Sequence, residues 1–86
     1  MYAVAWGGKP FDQMAQIIRN NPARKDELAE ALQEVTARLQ SHADTAGESR
    51  GGRIRVTFAG PLTVYFVPDT DSMAATVVRV RARFTV

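Results

Sequence analysis

The chain has 86 residues, of which 45% are hydrophobic and 23% are charged, a balance typical of one folded domain spanning residues 1–86. It contains no cysteine, which excludes a disulfide scaffold and any thiolate-bound zinc or iron–sulfur centre. A domain of this size buries roughly 60% of the surface that its unfolded chain exposes. We therefore expect its function to lie on a face or in a shallow groove.

Charge is divided unevenly between the two halves of the chain. Residues 1–49 carry five basic and seven acidic side chains, whereas residues 50–86 carry six arginines, no lysine and two aspartates. The planar guanidinium group of arginine binds phosphate or carboxylate through two parallel hydrogen bonds. The basic half therefore predicts a polyanion or an acidic protein as partner.

The sequence predicts neither a membrane segment nor a secretory signal. The longest uncharged stretch, Val56–Pro68, has 13 residues and is interrupted by Gly60-Pro61, whereas a spanning helix needs about 20 apolar residues. The first eight residues hold no basic side chain, unlike a signal peptide. We expect a cytoplasmic protein that does not associate with membranes.

The N-terminal half predicts a strand followed by two helices. Tyr2–Trp6 is short and apolar and ends at Gly7-Gly8, which indicates an opening strand. Pro10 suits the first turn of a helix, and apolar side chains follow it at helical spacing: Phe11, Met14, Ile17 and Ile18.

Asn21 is predicted to cap the second helix, with Pro22 at its first position. The apolar stripe of this helix consists of Leu28, Leu32, Val35 and Leu39. The chain turns polar from Leu39 to Gly52, which predicts a frayed helix end and an exposed loop.

The C-terminal half alternates with a period of two, which predicts three antiparallel strands. The first is Arg53–Phe58, joined at the Gly60-Pro61 turn to Leu62–Val67, and the last is Thr76–Phe84 after a loop at residues 68–72. The predicted inward sets are Ile54, Val56 and Phe58, then Leu62, Val64 and Phe66, then Val78, Val80, Ala82 and Phe84. The fold class is therefore α+β, with two N-terminal helices on one face of a small antiparallel sheet.

The wet face of that sheet is the candidate binding surface. Consecutive antiparallel strands usually pair in chain order, so Thr63 and Tyr65 would lie between two rows of arginines, namely Arg53, Arg55, Arg79, Arg81 and Arg83. An aromatic ring among guanidinium groups stacks a base while the cations bind phosphates. The alternative is that these arginines are solvated, discourage aggregation through sheet edges, and are offset by Glu48 or Asp69.

Other chemistries have little support in the sequence. His42 is the single histidine and lies in a polar segment, so we expect no metal site and no cofactor. Ser49 has no convincing base nearby, which argues against nucleophilic catalysis.

The order of elements and several short motifs resemble the RelE/ParE toxin superfamily of bacterial type II toxin–antitoxin systems. The motifs extend over the whole chain and are Tyr2–Trp6, Gly47-Glu48-Ser49-Arg50, Gly52-Arg53-Ile54-Arg55, Gly60–Phe66 and Val77–Arg81. The resemblance implies a fold in which two helices pack on one face of an antiparallel sheet. It also implies a cognate antitoxin as partner, and a free protein that is a monomer or a weak dimer.

The resemblance further implies one of two activities. RelE-like members cleave mRNA in the ribosomal decoding site without a metal, using basic residues to hold the phosphodiester and a C-terminal Tyr or His near the chemistry. ParE-like members inhibit DNA gyrase. The basic positions of the nuclease branch are matched approximately by Arg53, Arg55, Arg79 and Arg81, but residues 83–86 contain no Tyr or His.

RNA cleavage needs a proton donor for the leaving oxygen and positive charge for the transition state. Arginine is a poor acid because its pKa exceeds about 12. We therefore assign proton donation or base stacking to Tyr65 and charge stabilisation to Arg81. Phosphate binding is assigned to Arg50, Arg53, Arg55, Arg79 and Arg83.

The first hypothesis is thus a toxin-like mRNA interferase or RNA-binding translation inhibitor that acts on ribosomes. The alternatives are a ParE-like gyrase inhibitor that does not cleave nucleic acid, and a non-toxic module of the same fold that only binds a partner. In each of them, carboxylates of an antitoxin segment could neutralise the arginines.

Overall fold

The computed structural model describes residues 1–84, so Thr85 and Val86 at the end of the tail lie outside the described residues. Strand β1 (Ala3–Trp6) leads into helix α1 (Gly8–Asn20), a 3₁₀ turn (Pro22–Arg24) and helix α2 (Lys25–His42). Four strands follow in the second half of the chain, one more than the three predicted: β2 (Glu48–Ser49), β3 (Arg55–Ala59), β4 (Leu62–Asp69) and β5 (Ala74–Ala82). The additional strand β2 lies within residues 39–52, for which a loop was expected.

These strands form one five-stranded sheet in the order β1-β5-β4-β3-β2. The α+β class with two helices is confirmed, but the expectation of a purely antiparallel sheet is wrong, because β1 pairs with β5 in parallel. Parallel neighbours need a long connection between them. Here that connection is nearly the whole chain, since Ala3 lies opposite Ala74.

The hydrophobic core lies between the helices and one side of the sheet. The central strand β4 contributes Leu62, Val64 and Phe66, each with no exposed surface. They share one cluster with Met14 of α1 and with four buried residues of α2: Leu28, Ala31, Val35 and Leu39. Ala31 thus takes the central position that the sequence assigned to Leu32, which packs at the edge of the cluster.

The junction between the helices differs from the expected one. The Asn21 side-chain amide donates a hydrogen bond of 2.8 Å to the carbonyl oxygen of Ile17, so it closes the end of α1. The prediction that Asn21 caps the second helix is wrong, because the Pro22–Arg24 turn intervenes before α2 begins at Lys25.

The face of β3 is the reverse of the predicted one. Arg55, Thr57 and Ala59 pair with Phe66, Val64 and Leu62, and directly opposed residues of a sheet share a face. These three residues therefore point to the helix side, where Arg38 of α2 donates a 2.7 Å hydrogen bond to the Thr57 hydroxyl. The predicted inward set of Ile54, Val56 and Phe58 is wrong, and Val56 is buried outside the main hydrophobic cluster.

A β-bulge changes which residues of β5 face the helices. Tyr65 pairs with Arg79 but the next residue, Phe66, pairs with Val77, so Val78 has no partner in β4. Val77 and Val80 are both buried, whereas Val78 is 38% exposed. The inward prediction is therefore right for Val80 and wrong for Val78, because the extra residue shifts the alternation.

Within residues 1–84, no helix combines the length and apolar character needed to cross a bilayer.

Candidate nucleic-acid interface

The open face, defined as the side of the sheet opposite the helices, is arranged in rows that cross the strands. One row runs from Phe58 of β3 through Thr63 of β4 to Arg81 of β5. The neighbouring row contains Tyr65 and Arg79. Since adjacent strands are about 4.8 Å apart, each arginine of β5 stands beside a polar or aromatic side chain of β4.

Two arginines of this face contact aromatic rings. The guanidinium carbon of Arg79 lies 5.8 Å from the centroid of the Tyr65 ring, and that of Arg83 lies 4.8 Å from the centroid of the Phe58 ring. Arg83 also donates a 2.8 Å hydrogen bond to the carbonyl oxygen of Gly60. Cation–π contacts at exposed sites contribute about 0.5–1 kcal/mol, enough to favour one arrangement of rings and cations.

The positive charge of this face is not offset by ion pairs within the described chain. The two ion pairs among residues 1–84 join Arg24 to Glu27 and Arg38 to Glu34, all in the helical half. No carboxylate of residues 1–84 lies within ion-pair distance of Arg79, Arg81 or Arg83. Their guanidinium charges are therefore available to an anionic ligand, which is the arrangement that phosphate recognition requires.

A shallow depression of about 310 Å³ lies on the open face, at the end of the sheet nearest the Gly60-Pro61 turn. Its lining combines both aromatic rings with two of the three arginines, and it consists of Phe58, Thr63, Tyr65, Arg81, Ala82 and Arg83. This surface can stack planar groups on its rings and bind phosphate oxygens at its rim. The Tyr65 phenol supplies an O–H group beside the cations, as proton donation requires.

Arg55 does not lie on the open face. Its Nε donates a 2.9 Å hydrogen bond to the carbonyl oxygen of Ala46, and its Nη2 donates one of 3.0 Å to that of Gly47. The prediction that arginines of both flanking strands lie on the open face is therefore wrong for strand β3. The alternation that places Phe58 outward sends Arg55 towards the helix side.

Two further predicted phosphate ligands, Arg50 and Arg53, lie in the exposed turn between β2 and β3. The charge of Arg53 acts on Asp69, the last residue of β4, whose pKa is lowered mainly by the backbone hydrogen bond from Ser72 and also by Arg53. The structure thus groups Arg79, Arg81 and Arg83 with Tyr65, and places Arg50 and Arg53 outside that group.

Phe58 is the residue of the open face that the sequence reasoning missed. It is 41% exposed although it is a large apolar side chain. The signal was present at the Gly60-Pro61 turn, because two residues between paired strands place Ala59 opposite Leu62. Ala59 must then share the buried face of Leu62, and Phe58 must lie on the other.

Among residues 1–84, no three His, Cys, Asp or Glu side chains gather closely enough to hold a metal ion. No protein-family model matches the chain, and no curated protein matches it in sequence.

Proposed function

We propose that the protein binds single-stranded RNA through the open face and inhibits translation, as a toxin-like component of a bacterial type II toxin–antitoxin system. The observation that carries this proposal is the grouping of Arg79, Arg81 and Arg83 around Tyr65 and Phe58. These cations have no ion-pair partner among residues 1–84, and two of them contact aromatic rings. Stacking platforms combined with unpaired cations suit single-stranded RNA, whose bases are free to leave the helix.

The RelE/ParE arrangement of helices and sheet is part of the same proposal. The order of one strand, two helices and a C-terminal series of strands supports it. The cytoplasmic ribosome and its mRNA are the proposed target, and a cognate antitoxin is the proposed partner. An antitoxin with carboxylates over the arginines would block the RNA surface and inactivate the protein, which in its free form would be a monomer or weak dimer.

Each residue of the face has a separate proposed role. Arg79 and Arg83 bind phosphates and hold the rings of Tyr65 and Phe58. Arg81 stands opposite Thr63 without a ring contact, so its guanidinium is free to stabilise charge on a phosphate. Tyr65 stacks on a base and, if the bound RNA is cut, donates the proton to the leaving oxygen.

Affinity for a fluorescein-labelled oligouridine, measured by anisotropy at several salt concentrations, tests the binding surface. Three phosphate contacts on a single strand predict a slope of about −2 for log K against log salt. Arg79→Gln, Arg81→Gln and Arg83→Gln should each weaken binding and make that slope less steep by about 0.7. Arg19→Gln is the matched control, because Arg19 is an exposed arginine on α1 and should leave the affinity unchanged.

Translation assays then separate this proposal from its alternatives. The protein should inhibit protein synthesis in a cell-free system, and Arg81→Ala should relieve the inhibition. Mapping of mRNA ends on translating ribosomes shows whether inhibition includes cleavage, which Tyr65→Phe should then abolish. Inhibition of gyrase supercoiling without any effect on translation would contradict the proposal, as would equal loss of RNA affinity in Arg19→Gln and Arg79→Gln.

A further inference from the structure

The outer edge of β5 is only half covered by β1. The pairing of β1 with β5 runs from Ala3 opposite Ala74 to Trp6 opposite Val77, and then the chain turns into α1. The second half of β5, residues 78–82, continues beyond that point, and within residues 1–84 no strand lies on its outer side, the side opposite β4. Exposed strand edges of this kind are the sites at which another strand can add.

A side chain of α1 occupies the position at which a neighbouring strand would pair with this edge. The backbone N–H of Val80 donates a 2.9 Å hydrogen bond to Oε1 of Gln13, which lies on α1. In a strand, alternate residues turn their N–H and C=O groups to the same side, so Ala82 faces this edge as well. Gln13 therefore supplies the acceptor that a neighbouring strand would otherwise provide.

The edge opens into a groove of about 490 Å³ between α1 and β5. Its charged lining consists of Lys9, Asp12, Arg79 and Arg81, which gives three cations and one carboxylate. Gln13 and Gln16 complete the helix side of the groove. A ligand of this edge thus meets backbone hydrogen-bonding groups and a surplus of positive charge together.

We propose that an extended segment of a partner protein, with carboxylates at alternate positions, adds to the sheet beside residues 78–82 and displaces Gln13 from Val80. Alternate side chains of an added strand point to the same face. Carboxylates on the open-face side would then lie next to Arg79 and Arg81, and the remaining side chains would enter the groove below α1. This inference rests on the acidic protein partner of the proposed function and gives it a binding mode, but it is separate from RNA binding, because strand addition depends on the edge and not on the aromatic rings.

A short fluorescein-labelled peptide that alternates glutamate and valine is the probe, and one that alternates lysine and valine is its charge control. The acidic peptide should bind and the basic one should not. Nuclear magnetic resonance should show that the amide protons of Val80 and Ala82 shift and become protected from exchange. The amides of Arg79 and Arg81 already face β4 and should change little.

The Gln13→Ala variant should bind the acidic peptide about three- to tenfold more tightly, because no existing hydrogen bond has to break. Gln33→Ala, a change of the same size at an exposed position of α2 outside the groove, should leave the affinity unchanged. Lack of peptide binding would overturn the proposal, as would peptide binding that shifts Phe58 and Tyr65 but leaves the Val80 amide on Gln13.

Two other occupants of the edge are distinguishable in the same experiment. Self-association of Gln13→Ala without peptide would assign the edge to a second copy of the chain, and an oligouridine that protects the Val80 amide would assign it to RNA. Either result would overturn the proposal of a peptide partner. A chain that binds the peptide but not oligouridine would contradict only the RNA function.

Discussion

Arg55 ties strand β3 to the segment that follows helix α2, through hydrogen bonds of 2.9 and 3.0 Å to the carbonyl oxygens of Ala46 and Gly47. Ala46 is buried in the core cluster. Without Arg55, its carbonyl oxygen would lack this hydrogen bond, which is costly for a buried backbone group. The guanidinium also occupies the helix side of the sheet opposite Phe66. A charged residue in an alternating strand thus stabilises the fold and does not lie on the open face.

Substitution of Arg55 should reduce stability without affecting RNA affinity. Hydrogen bonds to a charged group contribute about 1.5–3 kcal/mol each in mutational series, and part of this is lost to solvent at a half-buried site. We expect Arg55→Gln to lower the free energy of unfolding by about 1–3 kcal/mol in urea titrations. Arg53→Gln removes the same charge from an exposed turn and should cost little, so equal losses in the two variants would refute this role.

Gly47 and Gly52 allow a matched test of backbone strain and steric overlap. Both have positive φ, +68° and +55°, but a Cβ at Gly47 would overlap the carbonyl oxygen of Val56, whereas one at Gly52 would meet open space. We expect Gly52→Ala to cost about 1–2 kcal/mol from φ alone. Gly47→Ala should cost about 2–5 kcal/mol because overlap is added to strain. Thermal unfolding of both variants measures the difference, and a Gly47→Ala chain as stable as Gly52→Ala would contradict the close approach.

We predict that the free energy of unfolding falls in alkaline solution because of Tyr2. It is 6% exposed, and its pKa is raised first by the loss of hydration on burial and then by the charge of Asp44. A raised pKa means that the folded chain holds the phenolic proton more tightly than the unfolded chain does. The resulting stabilisation is present below the unfolded value, about 10, and is lost as the pH rises through the folded value.

Urea titrations at a series of pH values, from neutral pH to above the pKa of free tyrosine, measure this effect. Tyr2→Phe should remove the alkaline decline, and Tyr65→Phe should retain it. The opposite result, a decline that follows Tyr65, would show that the Tyr2 phenol is not the group responsible.

We predict that the free energy of unfolding also falls in acid, because of Asp69. Its Oδ1 accepts hydrogen bonds from the backbone N–H groups of Ser72 and Asp71, at 3.3 and 3.0 Å, and its pKa is lowered, most strongly by the bond from Ser72. Stability from this carboxylate is present above the unfolded pKa of about 3.9 and is lost as the pH falls through the folded value. Asp69→Asn should flatten the acid limb of the stability curve, and Asp71→Asn should leave it in place.

Phe58 should matter for RNA although the sequence reasoning placed it in the core. Stacking of one base on an aromatic ring is worth about 1–3 kcal/mol, so Phe58→Ala should weaken oligouridine binding by about five- to 150-fold. Phe58→Tyr keeps the ring and should keep most of the affinity. Phe11→Ala is the control, because Phe11 is 64% exposed on α1, far along the chain from the arginines. If both alanine variants lost affinity equally, stacking on Phe58 would be disproved.

The hairpin shows how close the sequence came to the correct surface. The turn at Gly60-Pro61 and the apolar face of β4 were both evident, and together they determine the face of Ala59 and hence of Phe58. Alternation by itself does not contain this information. It states which residues of β3 share a side, and it predicts that Ile54, Val56 and Phe58 face the helices because the apolar face of a sheet is expected to take them.

The amino-acid sequence alone was sufficient for the two helices, the three long C-terminal strands and the outward direction of Arg79 and Arg81, because each depends on side chains close together in the chain. The tertiary structure decided the parallel pairing of β1 with β5, the bulge at Val78 and the orientation of Arg55. Each of these depends on what a distant segment places next to the strand: Ala3 beside Ala74, Val77 against Phe66, and the Ala46 carbonyl within reach of a guanidinium. Periodicity shows which residues of a strand share a side, whereas the packing of the strand against the rest of the fold determines which side is buried.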